Sequence, residues 1–283
     1  MKSYFLCGFL LIFLEINAQV GIGVSATDIA PSAQLEIKST TKGLLLPRMT
    51  HTQRDAIATP TAGLVLWCTN CGDAGELQVY NGSSWTNMTG GAVRAPTSVT
   101  IGSQVWQLKN LNVDRYRNGD PIPKVEDGAT WMSLTTGAYC YYMNDSATYA
   151  AAYGKLYNWY AVNDSRGLAP TGYRVPSYNE WQTLIATAGG SGLAGPALKE
   201  TGTVYWDTDP GSTNSTGFSA RGGGFRDNNS GNFYYLRTFS YFWDATPQGG
   251  NTAYFHGPFS SGAHIIANKY PYTCGFSVRL IKE

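Results

Sequence analysis

One stretch, residues 153–190, carries the strongest structural signals in the chain. Ser177 follows a proline and precedes Glu180 by three residues, which is the pattern of a capping box at a helix N-terminus. The apolar residues that follow recur at helical spacing and define one face: Trp181, Leu184, Ile185 and Ala188. Gly189-Gly190 then predicts the helix end, because glycine adopts the left-handed C-cap conformation without steric cost. The sequence therefore predicts an amphipathic helix that begins after Ser177 and buries one face.

The composition around this helix suits an extracellular, loop-rich β or α+β protein. Charged residues make up only 14% of the 283 residues, whereas there are 33 glycines and 19 tyrosines. The net charge is +1 and no run of Lys and Arg occurs, so we expect no nucleic-acid partner. The three histidines, His51, His256 and His264, lack metal-ligand spacing and are predicted to lie at the surface or in loops.

The first 18 residues have the pattern of a secretory signal. A short basic segment precedes an apolar run from Tyr4 to Leu14, and the small residue Ala18 offers a cleavage point before Gln19. The run is too short to span a membrane, and no later run approaches that length. We therefore expect export with cleavage after Ala18, an extracellular or cell-surface location, and no membrane span in the mature chain.

Residues 19–91 form a predicted small β-rich module. Ala33–Ile37 alternates like a strand, and Glu76–Tyr80 with Ser83–Thr86 reads as a hairpin around Asn81-Gly82, a pair typical of a type I′ turn. The module resembles the N-terminal regions of secreted fibre-like proteins of Bacteroidetes, and that resemblance implies trimerisation. A small monomeric β spacer fits the sequence equally well. Residues 92–98 are predicted to be a linker. They follow Gly90-Gly91, contain Pro96 and show no hydrophobic periodicity.

Four motifs identify residues 99–283 as a second domain. They are YGKLYNWYAVND from Tyr153, GLAPTGYRVPSYNEW from Gly167, NSTGFSARGGGFRD from Asn214 and GFSVRLIK from Gly275. Their order and spacing resemble the Fibrobacter succinogenes major paralogous domain. More distantly, they are similar to formylglycine-generating proteins, which implies an α+β, C-type-lectin-like fold with a small twisted antiparallel sheet, one or two helices and long loops.

The same resemblance argues against catalysis. Formylglycine-generating enzymes use a cysteine pair near the C-terminal Gly-Phe-Arg motif, but only Cys274 lies beside Gly275-Phe276 here. A lone thiol cannot form a two-thiolate Cu(I) site. No GxSxG motif is present, and no Lys-Ser/Thr follows Gly222–Gly224 to make a phosphate loop. We therefore expect a fold shared with these enzymes and no enzymatic reaction.

Cysteine usage predicts disulfide bonds. Four cysteines remain after the predicted signal, and an even number in an exported chain favours pairing. Cys68 and Cys71 lie in a turn context and are predicted to form a local clip. Cys140 and Cys274 are then predicted to pair across the second domain.

The predicted function is binding or adhesion through loops of the second domain. A stretch rich in Asp, Asn, Ser, Thr and Gly lies between the apolar anchors Trp206 and Phe233, and loops held on a scaffold are where binding residues concentrate. The predicted ligand-binding residues are Asp207, Asn214, Asp227, Asn228, Asn232, Tyr234 and Tyr235. The expected partner is a surface glycan or a protein.

Three alternatives to a glycan- or protein-binding loop remain open. The chain could be a structural subunit of a surface fibre or complex, it could be a formylglycine-generating-like enzyme, and the polar loop could be solvated without a partner. No cofactor is required, although calcium could bind through Asp207, Asp209 and Asn214, or through Asp227 and Asn228. Neither set has the fixed spacing of an EF-hand loop.

Overall fold

The computed structural model describes residues 19–72 and 74–283. The predicted signal segment, residues 1–18, lies outside these ranges. The chain divides into two compact units, one ending at Arg48 and the other running from Met49 to Glu283. No helix in the described ranges combines the length and apolarity needed to cross a lipid bilayer.

The first unit is built on a two-stranded parallel sheet. Strands β1 (Val20–Ile22) and β2 (Leu35–Ile37) pair in register, with a short 3-10 turn at Ala26–Asp28 between them. Gly21 and Glu36 share one face, where a side chain at Gly21 would meet Ile29. The other face carries only aliphatic side chains, which are 38–54% exposed: Val20, Ile22, Leu35 and Ile37.

The second unit opens with a small sheet of order β3–β4–β5–β6. Its elements are β3 (Arg48–Met49), α1 (His51–Asp55), β4 (Val65–Cys68), β5 (Glu76–Tyr80) and β6 (Trp85–Asn87). The predicted disulfide between Cys68 and Cys71 is confirmed, and both half-cystines are buried beside Leu66. The predicted hairpin forms between β5 and β6.

The type I′ turn predicted for this hairpin is wrong. Tyr80 pairs with Trp85, so the loop contains four residues, and Gly82 has positive φ while Asn81 does not. The Asn81 side chain accepts hydrogen bonds from the backbone N–H groups of Ser83 and Ser84. This side-chain-to-backbone turn stabilises the longer loop.

The rest of the second unit is a mixture of short strands and short helices. A four-stranded sheet has the order β11–β17–β8–β7, and β14, β15 and β16 form an antiparallel sheet; β9 pairs with β10 and β12 with β13. The strands are β7 (Ser98–Ile101), β8 (Gln104–Gln107), β9 (Tyr139–Cys140), β10 (Leu156–Tyr157), β11 (Tyr173–Arg174), β12 (Gly223–Arg226), β13 (Phe233–Leu236), β14 (Phe242–Gln248), β15 (Thr252–Pro258), β16 (Ile265–Pro271) and β17 (Ile281–Lys282). The helices are α2 (Gly128–Met132), α3 (Ser146–Tyr153), α4 (Trp159–Val162), α5 (Tyr178–Thr187) and α6 (Ala194–Leu198), with a 3-10 turn at Tyr142–Asn144.

The predicted central helix is confirmed as α5. Ser177 is its N-cap, and both bonds of the capping box with Glu180 are present. The predicted apolar face is buried at Trp181, Leu184 and Ile185. Arg174 adds an ion pair to Glu180, so the strand before the helix is tied to its first turn.

Aromatic side chains fill the core of the second unit. Trp159, Trp181 and Trp243 are buried as predicted, and the Trp159 and Trp243 indoles donate to the carbonyls of Asp244 and Tyr157. The Phe276 ring lies 4.2 Å from that of Trp243. The core is therefore apolar, and the polar ends of Trp159 and Trp243 are hydrogen-bonded within it, whereas the Trp181 N–H has no partner among the described residues.

The C-terminal segment differs from the predicted alternating strand. Phe276, Val278 and Leu280 are buried as expected, but the intervening Ser277 and Arg279 are buried as well, and only Ile281–Lys282 is a regular strand. Both faces of the segment are covered. His256 also departs from the predicted surface location, since it is fully buried in β15.

The structure divides the chain after Arg48, whereas the sequence analysis places a boundary at residues 92–98. Those residues are held within the second unit: Ala92 pairs with Thr86, Pro96 pairs with Cys71, and the Thr97 hydroxyl donates to the Gly72 carbonyl. The architecture is mixed α and β with small sheets and few helices. The C-type-lectin-like fold stays a prediction.

Candidate functional site

An open cleft of about 620 Å³, here called the tyrosine cleft, lies beside the β12–β13 hairpin. The hairpin and the loop that joins its strands form one wall, and the end of β16 forms the other. The lining residues are Phe225, Asp227, Asn228, Asn229, Tyr234, Tyr235, Lys269, Tyr270 and Pro271. Four of the seven predicted ligand-binding residues meet here: Asp227, Asn228, Tyr234 and Tyr235.

Tyr235 is held in an unusual backbone conformation. Its φ is 61°, in the left-handed region that tyrosine rarely adopts, while its side chain is 52% exposed. The ring stacks on Phe225 at 6.0 Å and meets Phe239 edge-on at 5.4 Å. Packing on a buried phenylalanine thus fixes an exposed aromatic face at the rim of the cleft, and such strained residues concentrate at functional sites.

The glycine run of the third motif makes this geometry feasible. Gly224, in the strand opposite Tyr235, has φ +60°, and a Cβ there would lie 2.4 Å from the Tyr234 carbonyl oxygen. Only glycine tolerates both the conformation and the approach. The sequence thus places glycine where the two strands come too close for a side chain.

The polar floor of the cleft is organised by Asp227 and Asn228. One Asp227 oxygen, Oδ2, accepts from the N–H groups of Asn229 and Ser230 and from the Ser230 hydroxyl. The Asn228 Oδ1 accepts from the buried Cys274 thiol at 3.2 Å. Asp227 Oδ1 and the Asn228 amide therefore sit on a loop with a fixed shape.

The remaining predicted residues lie elsewhere in the second unit. Asp207 pairs with Arg237 at 3.6 Å and accepts from the Thr238 hydroxyl, and Asn214 bonds to Ser219 through both ends of its amide. Asn232 is exposed in the 227–232 loop but does not line the cleft. The structure therefore brings together only part of the predicted set.

Sequence reasoning missed the wall supplied by β16. Lys269 and Tyr270 line the cleft, about forty residues after Asp227 in the chain. The antiparallel pairing of β15 with β16 brings them there, and a single sequence does not reveal that pairing.

The predicted disulfide between Cys140 and Cys274 is wrong, because both are buried free thiols. Cys140 lies in β9, and its thiol contacts Arg226, whereas the Cys274 thiol donates to Asn228. Trp131 and Arg226 pack closely against Gly275, the residue next to Cys274. Burial raises the pKa of each thiol to about 12, so neither ionises near neutral pH.

Neither predicted calcium set forms a compact acidic cluster. Residues 19–72 and 74–283 contain no group of three or more His, Cys, Asp or Glu placed to hold a metal ion. Asp209 caps a turn by accepting from Ser212 and Gly202, apart from the Asp227 loop. Calcium binding stays a prediction.

One buried ionisable pair escaped the sequence analysis. His256 Nε2 lies 2.9 Å from Asp244 Oδ2, and both side chains are fully buried. The imidazole stacks on Trp181 at 5.2 Å, and Asp244 also accepts from the Thr246 N–H. The pair connects the β14–β15 sheet to α5 and lies outside the tyrosine cleft.

Comparison with known proteins gives two family matches. Residues 21–102 match a phage tail like trimerisation region. Residues 99–282 match the Fibrobacter succinogenes major domain. No curated protein and no solved structure gave a match. The second match spans most of the chain and confirms the resemblance in the four motifs, so this chain belongs to the Fibrobacter succinogenes major domain family.

Proposed function

We propose that the family domain, residues 99–282, is a non-catalytic binding module of an exported, surface-located protein, and that it holds a glycan in the tyrosine cleft. The observation that carries this proposal is Tyr235, an exposed ring fixed by Phe225 on a strained backbone. A preset aromatic face reduces the ordering cost of binding. Flat aromatic faces flanked by amide and carboxylate groups suit the apolar faces and hydroxyls of sugars.

The state of the cysteines supports the non-catalytic part. A formylglycine-type reaction needs accessible thiolates, but burial holds the pKa of the Cys274 thiol at about 12. Its hydrogen bond to Asn228 instead shapes the cleft. Cys274 is thus proposed to be a packing residue under the binding loop.

A glycan array probed with residues 19–283 tests the cleft. We expect Tyr235→Ala to weaken binding at least tenfold, because truncating a central aromatic contact commonly costs 2 kcal/mol or more. Tyr178→Ala is the matched control, since Tyr178 lies in a different surface notch, at the start of α5, and does not line the cleft. If no array glycan binds, or if both variants bind alike, the glycan assignment is wrong; capture of a surface protein in a Tyr235-dependent way would identify a protein ligand instead.

Two of the predicted asparagines, Asn228 and Asn214, provide a second, internal comparison. Asn228→Ala changes the cleft, whereas Asn214→Ala removes a side-chain amide whose hydrogen bonds go to Ser219, outside the cleft. We expect the first variant to lose affinity and the second to retain it. Equal losses would place the site outside the cleft.

We further propose that the N-terminal unit trimerises and that the protein acts as part of a surface fibre or complex. Two observations favour this: the trimerisation match and the aliphatic face of β1 and β2, which the unit itself leaves exposed. Three copies of a weak glycan site on one stem would bind an arrayed surface with high avidity. Sedimentation equilibrium of residues 19–283 tests the stoichiometry, and a monomer at micromolar concentration would contradict it.

A further inference from the structure

A small notch of about 150 Å³ lies apart from the tyrosine cleft, between the segment after β8 and the end of α3. Basic side chains contribute three of its lining residues: Lys109, Arg221 and Arg279. Since a water molecule takes about 30 Å³ in the liquid, the notch has room for a small ion with some of its hydration.

Arg279 is the unusual member of this group. Its side chain is buried, with the residue only 1% exposed, yet no carboxylate in the described ranges bonds to it. Its partners are Asn110 Oδ1 and the carbonyls of Gln107 and Phe218. These four hydrogen bonds use four of the five guanidinium N–H groups and leave one on Nη2.

The charge of Arg279 is not balanced within the notch. Burial and the neighbouring Arg221 lower the pKa of Arg279 to about 9, so it stays positive at neutral pH. Arg221 forms a bidentate pair with Glu200, which offsets one charge, and it also donates to the Ala152 carbonyl. Lys109 is exposed at the mouth and has no ion-pair partner among the described residues.

Three other cations of the domain are buried, Lys155, Lys199 and Arg226, and each bonds to carbonyls with no ion pair among the described residues; what distinguishes Arg279 is its place in the notch. Arg226 donates to three carbonyls and lies between Trp131 and Phe233, and Lys199 donates to three carbonyls below Trp206. Neither lines the notch. Arg279 combines a buried charge with a cavity and two further basic side chains.

We propose that the notch of Lys109, Arg221 and Arg279 binds one oxyanion group, a sulfate, phosphate or carboxylate. Buried charges in proteins are normally paired, and an anion would supply the missing partner. The free Arg279 N–H and the Lys109 ammonium provide charge-assisted donors, which form the stronger hydrogen bonds to such groups. The anion could be free or carried by an acidic saccharide.

The test is a titration of residues 19–283 with sodium sulfate against sodium chloride at constant ionic strength, followed by the melting temperature and by NMR shifts of the 108–112 amides. We expect saturable, sulfate-specific stabilisation and amide shifts. Lys109→Gln should weaken the apparent affinity at least threefold. Lys38→Gln, which removes the same charge from the first unit, should leave it unchanged.

Two further arms make the result decisive. Arg221→Lys keeps the positive charge but loses the planar guanidinium with its several N–H donors. It should therefore weaken sulfate binding while the domain stays folded. Tyr235→Ala should retain the sulfate response, which separates this site from the proposed glycan cleft. Tighter binding of a sulfated or uronate oligosaccharide than of free sulfate, dependent on Lys109, would identify a saccharide-borne anion; equal affinity would identify a free one.

The proposal is wrong if sulfate stabilises no more than chloride does at equal ionic strength. It is also wrong if Lys109→Gln and Lys38→Gln change the affinity alike, because the effect would then reflect net charge.

Discussion

The sheet of the first unit exposes large apolar side chains, whereas the second unit buries such side chains in its core. Val20, Ile22 and Leu35 are each 54% exposed on one face of a two-stranded ladder, whereas Trp243 and Phe276 are fully buried among aromatic neighbours. A two-stranded sheet on its own is at best marginally stable in water. The second unit carries its own core, whereas among residues 19–48 Ile29 is the only buried side chain.

This difference assigns the two regions different sources of stability. The family domain is held by its own packing and by buried cations bonded to carbonyls, so it can present a rigid cleft. The first unit must gain stability from contacts beyond itself, as the trimerisation match suggests. Such a division suits the proposed roles of the two regions, binding and self-association, and each role can be tested separately.

The largest expected effect comes from charging the aliphatic face. Ile22→Asp with Leu35→Asp should abolish self-association, because burying a Val, Leu or Ile contributes roughly 1.5–3 kcal/mol and an unpaired buried carboxylate opposes it strongly. The measurement is light scattering after gel filtration. The family domain should keep its near-UV circular dichroism.

Lys42→Asp is the matched control for this pair of substitutions. Lys42 is exposed in the same unit but lies outside the paired strands. The control should leave the stoichiometry unchanged. A double variant that still associates would show that the face is not the interface.

The second effect tests the core of the family domain. Trp243→Ala should lower its free energy of unfolding by about 3–5 kcal/mol, because it opens a cavity and removes one of the two donors to the Tyr157 carbonyl, which keeps the Phe276 N–H. Leu45→Ala, in the first unit, should change stability by less than about 0.5 kcal/mol since Leu45 is 80% exposed. Urea unfolding followed by tryptophan fluorescence measures both, and a loss below about 1 kcal/mol at Trp243 would contradict the comparison.

Local elements of the fold could be predicted because their signals lie close together in sequence. The capping box of Ser177 and Glu180 determines where α5 begins, and the spacing of Trp181, Leu184 and Ile185 determines its buried face. The sequence predicts the hairpin at Asn81 correctly but gives the wrong turn type. Asn-Gly favours a two-residue turn, and the sequence does not show that the Asn81 side chain accepts the hydrogen bonds that stabilise a four-residue loop.

The candidate site could be predicted only in part. Asp227, Asn228, Tyr234 and Tyr235 are local to one hairpin, so a polar loop between apolar anchors pointed to them. Lys269 and Tyr270 join them because strands that are distant in the sequence pair with each other. The Cys140–Cys274 prediction is wrong for a related reason, since a single sequence does not show which distant residues are close in space. Counting cysteines suggests how many could pair, whereas three-dimensional proximity decides which of them do.

A smaller effect is expected at the disulfide. Cys68→Ser with Cys71→Ser should lower the stability of the small β3–β6 sheet by about 2 kcal/mol, the loop-closure entropy of so short a loop. Amide hydrogen exchange of β4 and β5 measures this locally. Cys140→Ala is the control, because it removes a thiol that forms no disulfide and should leave exchange in β4 unchanged; faster exchange in both variants would indicate that the sheet is not an independently opening region.

The smallest expected effect sharpens the comparison at a single helix end. Ser177→Ala removes the hydroxyl that accepts from the Glu180 N–H and donates to the Glu180 carboxylate, and loss of an N-cap side chain costs about 1 kcal/mol. Thr183→Ala is the matched control within α5: its hydroxyl bonds only to the Asn179 carbonyl one turn back, and alanine is the better helix former. We therefore expect Ser177→Ala to lower the urea midpoint of the family domain, while Thr183→Ala leaves it unchanged or raises it slightly. In the Ser177 variant the Glu180 carboxylate keeps the Arg174 guanidinium and the backbone N–H of residue 177 as partners, which limits the loss to the cap itself. A loss well above 2 kcal/mol would mean that the serine also supports the Arg174–Glu180 pair, and no loss would mean that this ion pair alone fixes the start of the helix.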